Sequence, residues 1–390
     1  MVDRTATSVA LGDVIASRYR LESILGAGAM STVYRARHVK IARPVAIKIL
    51  HDDFVPSPKL RRRFEREAEL AGKLSHPNVV SILDVGESAG AHYIVMDLVD
   101  GPTLGSVLEA GAMDRARMIA LVRQLCSGLE HAHGHGLVHR DFKPDNIIVE
   151  HAHDLERERV RIVDFGISTL RDEATSQGER LTTVGLVLGT PRYMAPEHVT
   201  GQAIDHRIDL FALGVVCYEM LTGRAPFDGD GVEVARANLL EEVPAMRDRA
   251  PGIAVDPLLE AFTRRLLAKD PDHRPPSAFS AKLLLDLIER DPASAAALLL
   301  DLAPPPAIAD GSDRLADVIH PSPGPEVAAA VIHLPPDLTP QLHTAMPLPR
   351  SLFKRWAPWV AAGALVVSGG IAVARCSTAA APPSATQPKK

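Results

Sequence analysis

His139-Arg140-Asp141-Phe142-Lys143-Pro144-Asp145-Asn146, followed at once by the apolar Ile147-Ile148-Val149, is the stretch from which the rest of the chain can be read. Downstream, Asp164-Phe165-Gly166 follows the strand-like Val160–Val163. Two polar loops beside short apolar strands thus each present a carboxylate. Asp164 and Asn146 offer hard oxygen ligands suited to Mg2+ and metal-bound phosphate. That division leaves Asp141 to accept a hydroxyl proton. Each motif alone reads equally as a polar turn; their order and spacing together do not.

Upstream, Leu25-Gly26-Ala27-Gly28-Ala29-Met30-Ser31-Thr32-Val33 joins two strand-like stretches, Arg20–Leu25 and Thr32–Arg37. Glycines in such a hairpin let backbone amides approach phosphate oxygens, and they are equally ordinary turn residues. A strand follows the loop, so it is not a dinucleotide fingerprint. It also lacks the Gly-Lys-Ser/Thr ending of a P-loop. In Val45-Ala46-Ile47-Lys48, Val45 and Ile47 share one strand face, and Ala46 and Lys48 the other. Lys48 is either a solvent-facing lysine on an edge strand or a cation held under the glycine loop. A helix over 58–74 bears on the choice. Leu60, Phe64, Ala68, Ala71 and Leu74 form its apolar stripe. Glu67 falls on that stripe, while Glu65 and Glu69 point away. A carboxylate on a buried face needs a cation, and Lys48 is the natural partner.

With these motifs the sequence resembles the eukaryotic-type (Hanks-type) serine/threonine protein kinases over residues 19–288. The resemblance implies an α+β, bilobal protein-kinase fold that uses ATP with Mg2+ (or Mn2+). It places Leu25 to Val33 over the phosphates of ATP, with Gly26, Gly28 and Val33 matching the glycine-rich loop. Lys48 would hold the α- and β-phosphates with Glu67 as its helix partner. Asp141 would be the catalytic base, Lys143 would steady the γ-phosphoryl, and Thr190 would hydrogen-bond near the base. Asn146 and Asp164 would bind metal. Ala46, Val33 and Ile148 would sandwich the adenine. Met96 would line the back of its pocket, and Asp97 to Val99 would be the hinge. Ala195-Pro196-Glu197 closes the activation segment. Asp209 and Arg274 look like structural polar residues, Arg274 pairing with Glu197. Lys143 and Gly189-Thr190-Pro191-Arg192-Tyr193 are similar to serine/threonine rather than tyrosine kinases. Ser31 stands where a third loop glycine is expected, which implies a stiffer loop. Arg140 before Asp141 implies activation by phosphorylation, with Thr182 and Thr183 in reach; a homodimer would serve trans-autophosphorylation.

The organisation of the chain fits two lobes. Residues 19–98 are strand-rich, with the apolar runs Val45–Leu50, Val79–Val85 and Tyr93–Val99. Residues 99–288 are mainly helical, as in Arg115–His133, Leu210–Leu221 and Pro257–Leu267. Residues 1–18 are an N-terminal extension without the apolar stretch of a signal peptide. Lys plus Arg number 43 and Asp plus Glu 48, a net charge of −5 that argues against a nucleic-acid binder held by bulk charge. Three cysteines, Cys126, Cys217 and Cys376, exclude a disulfide framework. Cys126 and Cys217 fall in apolar helical patterns and should be buried. The histidines at 131, 133, 135 and 139 span a helix end and a loop, a poor spacing for a metal site.

Beyond the lobes, residues 289–355 read as a Pro-rich linker; the run Ala295–Leu300 is the possible tail of a last helix. Trp356–Ala374 carries no charge, follows Arg350, Lys354 and Arg355, and is long enough as a helix to cross a bilayer. The flanking charges and Trp356 and Trp359 predict one transmembrane helix with the kinase domain on the cytoplasmic side of the membrane. Residues 375–390 would be a short extracytoplasmic tail. Two rivals differ in chemistry. A membrane-tethered pseudokinase-like scaffold would not need Lys48, Asp141, Asn146 and Asp164 together. A small-molecule kinase would not need the Ala-Pro-Glu closure that favours protein substrates with Ser or Thr.

Overall fold

The apolar, β-branched runs of the first hundred residues pair into one antiparallel sheet. Its strands are β1 (Val14–Ile15), β2 (Tyr19–Ala27), β3 (Ser31–His38), β4 (Pro44–Leu50), β5 (Ile82–Ser88) and β6 (Ala91–Asp97), in the order β1-β2-β3-β4-β6-β5. The computed structural model describes residues 9–28, 31–51, 58–165 and 191–300. The two faces of the sheet bury separate cores. Val45 and Ile47 of β4 join Tyr19, Leu21, Ala36 and Val95 on one face. Ala46 and Leu50 join Val80, Ile94, Met96 and Ala68 of α1 (Pro58–Gly72) on the other. The period-two division of β4 therefore holds. Because β4 lies between β3 and β6, the edge-strand reading of Lys48 is overturned; Lys48 is only 8% exposed.

On α1, Ala68 and Ala71 are buried, as is Leu74 just beyond it; Glu67 is half-buried and Glu69 exposed. The side chains of Leu60, Phe64 and Glu65 lie outside the described residues. The expected strand over Val79–Val85 begins only at Ile82. The backbone of this stretch pairs instead with the second lobe: Val80 N donates to Ile162 O at 2.9 Å, and Ile162 N donates to Asn78 O at 2.9 Å. The apolar run is continuous, but its backbone partners change part-way along it.

The second lobe is helical apart from a two-stranded hairpin, β7 (Ile147–Glu150) with β8 (Arg159–Ile162). Its helices are α2 (Leu104–Leu108), α3 (Arg115–Gly134), α4 (Pro196–Val199), α5 (Arg207–Thr222), α6 (Gly231–Leu240), α7 (Met246–Arg249), α8 (Pro257–Leu266), α9 (Ala278–Arg290) and α10 (Pro292–Leu300). Side-chain caps set several starts. The Asp114 carboxylate accepts from Arg117 N at 3.0 Å before α3, and Asp230 with Glu233 forms a capping box on α6. Met118, Val122, Leu125 and Leu129 line the buried face of α3. Each such side chain contributes about 1.5–3 kcal/mol on burial. Helix α5 is buried along almost its whole length and ends at Gly223, whose φ of +70° suits glycine. Cys126 and Cys217 are both buried in this core.

The folded part also extends past the expected boundary at 288. Residues 292–300 form α10 rather than linker, packed on α8 and α9 with Ala295 and Leu299 buried. The alanine-rich composition that resembles linker is also good helix composition, and tertiary contact decides between them. Among the described residues no helix is long and apolar enough to cross a membrane; the stretch 356–374 lies outside them.

Candidate active site

The site lies where the first sheet meets the β7–β8 hairpin. Lys48 Nζ, projecting from β4, is 2.8 Å from Asp164 Oδ2 at the loop after β8. The sequence pattern predicts Glu67 as a partner of this lysine; Glu67 is half-buried on α1, and the pair with Asp164 is one the pattern does not predict. Burial pushes the Asp164 carboxyl up, and Lys48, with smaller help from His139 and Lys143, outweighs it and holds the group below the usual carboxylate range. Asp164 adopts a left-handed φ of +65°, as does Arg140. Non-glycine residues take that region at some cost, which surrounding bonds must offset.

Those bonds start from Asp209 on α5, buried and three-fold hydrogen-bonded. Its carboxylate accepts from His139 N at 2.8 Å, Arg140 N at 2.9 Å and His133 Nε2 at 2.8 Å. Burial raises the Asp209 carboxyl, but the His133 and His139 interactions prevail and lower it. Asp209 thereby anchors the strained turn that leads into Asp141. His139, fully buried, donates through Nε2 to Val163 O at 2.9 Å and accepts from Asp141 N through Nδ1 at 3.3 Å. One imidazole thus joins the two carboxylate-bearing loops. Its ring also packs against Phe165, with centroids 4.7 Å apart.

Around Asp141, Lys143 Nζ lies 2.8 Å from Oδ2, and Asn146 Nδ2 donates to Asp141 O at 2.8 Å. Committing the amide nitrogen of Asn146 turns its carbonyl oxygen into the ligand it can offer. An ionised Asp164 and an oriented amide oxygen fit a hard divalent cation. Val33 and Ala46 share an apolar cluster with Met96 and Val99. Ile148 faces the same side of its hairpin as Arg161, its cross-strand partner. Asp97 ends β6. Gly28 N donates to Ser31 O at 2.9 Å, closing the hairpin formed by Leu25, Gly26, Ala27 and Thr32. Ala29, Met30, Gly166, Thr182, Thr183 and Thr190 lie outside the described residues.

Further residues support the site, and not all of them stand out in the sequence. Asn238 of α6 is buried and donates to the carbonyls of Pro191, Arg192 and Met194 at 3.0–3.2 Å. Tyr193 Oη donates to Glu219 Oε2 at 2.8 Å. Arg274, fully buried, makes a two-pronged pair with Glu197 at 2.6 and 2.8 Å and donates to the carbonyls of Ala268, Arg207 and Lys269. A run of backbone carbonyls awaiting an asparagine leaves no sequence signature, whereas the Arg274–Glu197 pair was expected.

A family model described as the protein kinase domain matches residues 19–283. The chain belongs to the protein kinase family. Serine/threonine-protein kinase pkn3 of Myxococcus xanthus is 39% identical over 284 residues, covering 72% of this chain and 52% of the relative. Serine/threonine-protein kinase PrkC of Bacillus subtilis is 38% identical over 266 residues, covering 68% and 39%. The chain thus spans about half, or less, of the length of these relatives. The crystal structure of the Mycobacterium tuberculosis PknI kinase domain aligns with a TM-score of 0.56 at 27% identity, covering 72% of this chain and 99% of that one. The kinase domain has the bilobal form of its family, a β-rich first lobe and a helical second lobe.

Proposed function

We propose that this kinase is a serine/threonine protein kinase that transfers the γ-phosphoryl of ATP to protein hydroxyls. The observation that carries the reading is the arrangement around Asp141, whose carboxylate is held by Lys143 beside the Lys48–Asp164 pair. Lys48 supplies positive charge to the phosphates, and Gly26 and Gly28 let the loop backbone approach them. Asp164 and Asn146 are the residues that would hold Mg2+ or Mn2+; the bound ion supplies charge neutralisation for the phosphates. Asp141 orients the incoming hydroxyl and receives its proton at the carboxylate. Lys143, held to the same carboxylate, stays close to where charge shifts during transfer. Val33, Ala46 and Ile148 offer apolar surface for the base, and the backbone of Asp97 to Val99 its polar edge. Incorporation of labelled phosphate into the protein itself and into a generic basic protein tests the reading. Asp141→Asn should lower the rate by a factor on the order of 100 or more. A purified, folded Asp141→Asn protein of parental activity would overturn it.

The same reading extends to regulation and place. Thr182 and Thr183 are the proposed autophosphorylation sites, modified between two copies of the chain; a phosphate there adds about −1.5 to −2 charge near Arg140. Mass spectrometry of active protein, with a double alanine variant, tests this. The uncharged run at 356–374, with Arg350, Lys354 and Arg355 before it, supports a single span that leaves the kinase domain in the cytoplasm. The full chain should resist carbonate extraction from membranes, and a version ending at Arg350 should be soluble and active.

A further inference from the structure

The hinge carries a charge arrangement that the roles above leave unexplained. Asp97, the last residue of β6, sends its two carboxylate oxygens to different lobes. Oδ1 lies 2.5 Å from Arg43 Nη2, and Oδ2 lies 3.9 Å from Arg161 Nη2. Arg43 immediately precedes β4, whose Val45 is the cross-strand partner of Asp97, so this contact stays within the first sheet. Arg161 belongs to β8 in the second lobe, beside Ile148. The Arg161 side chain is 16% exposed, and its Nε is buried without a hydrogen-bond partner among the described residues. A guanidinium so far removed from water needs a compensating charge. Among the described residues its ion pair is to the carboxylate of the opposite lobe. Separating the lobes at this point would leave Arg161 under-compensated. The Arg43 contact is more exposed and correspondingly weaker and more easily screened by salt.

We propose that Arg43, Asp97 and Arg161 form an ion-pair chain across the hinge that sets the angle between the lobes, which makes Arg43 and Arg161 positioning residues for the nucleotide. The proposal rests on the reading of the cleft as an ATP site. Asp97 stands at the start of the segment whose backbone meets the base, and Arg161 neighbours the residue beneath it. Tilting this segment changes the fit of the base while leaving Asp141, Lys143 and Asn146 in place. The signature is therefore a weaker hold on nucleotide with an intact chemical step.

The test is calorimetric titration of the full chain with a non-hydrolysable ATP analogue and Mg2+, beside initial rates with ATP. Arg161→Met should weaken nucleotide binding and raise the KM for ATP by roughly 3- to 10-fold, with kcat within about twofold of the parent. Arg161→Lys keeps the charge and should recover most of the loss. Asp97→Asn should weaken binding by a similar factor, and Arg161→Met added to it should change little more. If Arg161→Met does not fold, Arg43→Gln and Asp97→Asn carry the same comparison, since both side chains are partly in water. The proposal fails if Arg161→Met binds nucleotide like the parent. It also fails if Arg161→Lys is as impaired as Arg161→Met, or if the combined variant shows additive losses. Parental protein that binds the analogue without transferring phosphate would sink the activity reading and leave the hinge comparison standing on binding; parental protein that binds no nucleotide would overturn both.

Discussion

At the scale of single residues, the His139 imidazole ties the loop that carries Asp141 to the loop that carries Asp164. Lys48, Asp141, Asn146 and Asp164 stand in motifs whose spacing restricts their roles, and the structure brings their side chains to one cleft. His133 fixing Asp209, and Arg161 facing Asp97, are pairings between residues far apart in sequence. Lys48 is legible as a cation that needs a carboxylate, but its pair with Asp164 is not, because that carboxylate comes from a loop far along the chain. Lys269 was not visible at all as an unusual group. Its Nζ donates to Asn238 O at 2.6 Å near the C-terminal end of α6. Burial, with Arg274 adding, lowers its pKa to about 8. The unfolded chain therefore holds this proton to higher pH than the folded one, so the group's contribution to stability rises with pH above about 8. Denaturant unfolding at about pH 7.5 and about pH 9.5 should show the parent gaining roughly 2 kcal/mol relative to Lys269→Met. Parallel pH profiles for the two proteins would contradict this account.

Individual elements were mostly visible as periodic patterns, and their ends were less so. The start of β5 shifted because backbone bonds from Val80 run to the second lobe, which no run of apolar residues announces. The connecting turn behind that shift has its own pH sensitivity. Ser75 N donates to His131 Nε2 at 3.2 Å, and Asn78 N donates to His76 Nδ1 at 3.1 Å. Both rings accept and must be neutral at those nitrogens. They stack with centroids 5.1 Å apart, and His135 lies 4.5 Å from His131. Burial lowers both pKa values, with His131 and Lys282 adding at His76 and His135 adding at His131. The folded state thus takes up these protons later than the unfolded state as pH falls. Stability from this contact is present above about pH 6.5 and declines below it. Unfolding midpoints between about pH 7.5 and about pH 5.5 should fall more in the parent than in a His76→Asn, His131→Gln variant. An equal fall would place the acid sensitivity in another element.

For the whole molecule, the bilobal fold could be anticipated because strand and helix patterns segregate along the chain. The extension to Leu300 shows in the sequence only as the possible tail of a last helix, because Ala- and Leu-rich residues suit a helix only when something covers them. Within the second lobe the Arg274–Glu197 pair ties α4 to the segment that precedes α9. Arg274→Met should destabilise the chain by roughly 3–5 kcal/mol, since it strands the Glu197 carboxylate and three carbonyls at once. The thermal midpoint should drop on the order of 10 °C. A shift within one or two degrees would show that the buried pair contributes little. The same pair has a consequence for the order in which the protein can be made. Glu197 leaves the ribosome 77 residues ahead of Arg274. The first sheet uses only residues 14–97 and has all its strands early in synthesis. The layer around α5 lacks the Arg274 counter-ion for Glu197 until residue 274 has been made. Nascent chains arrested just before Arg274 should therefore protect the first lobe from protease while the segment from α4 to α8 is still cleaved, and release of a few dozen more residues should close that window.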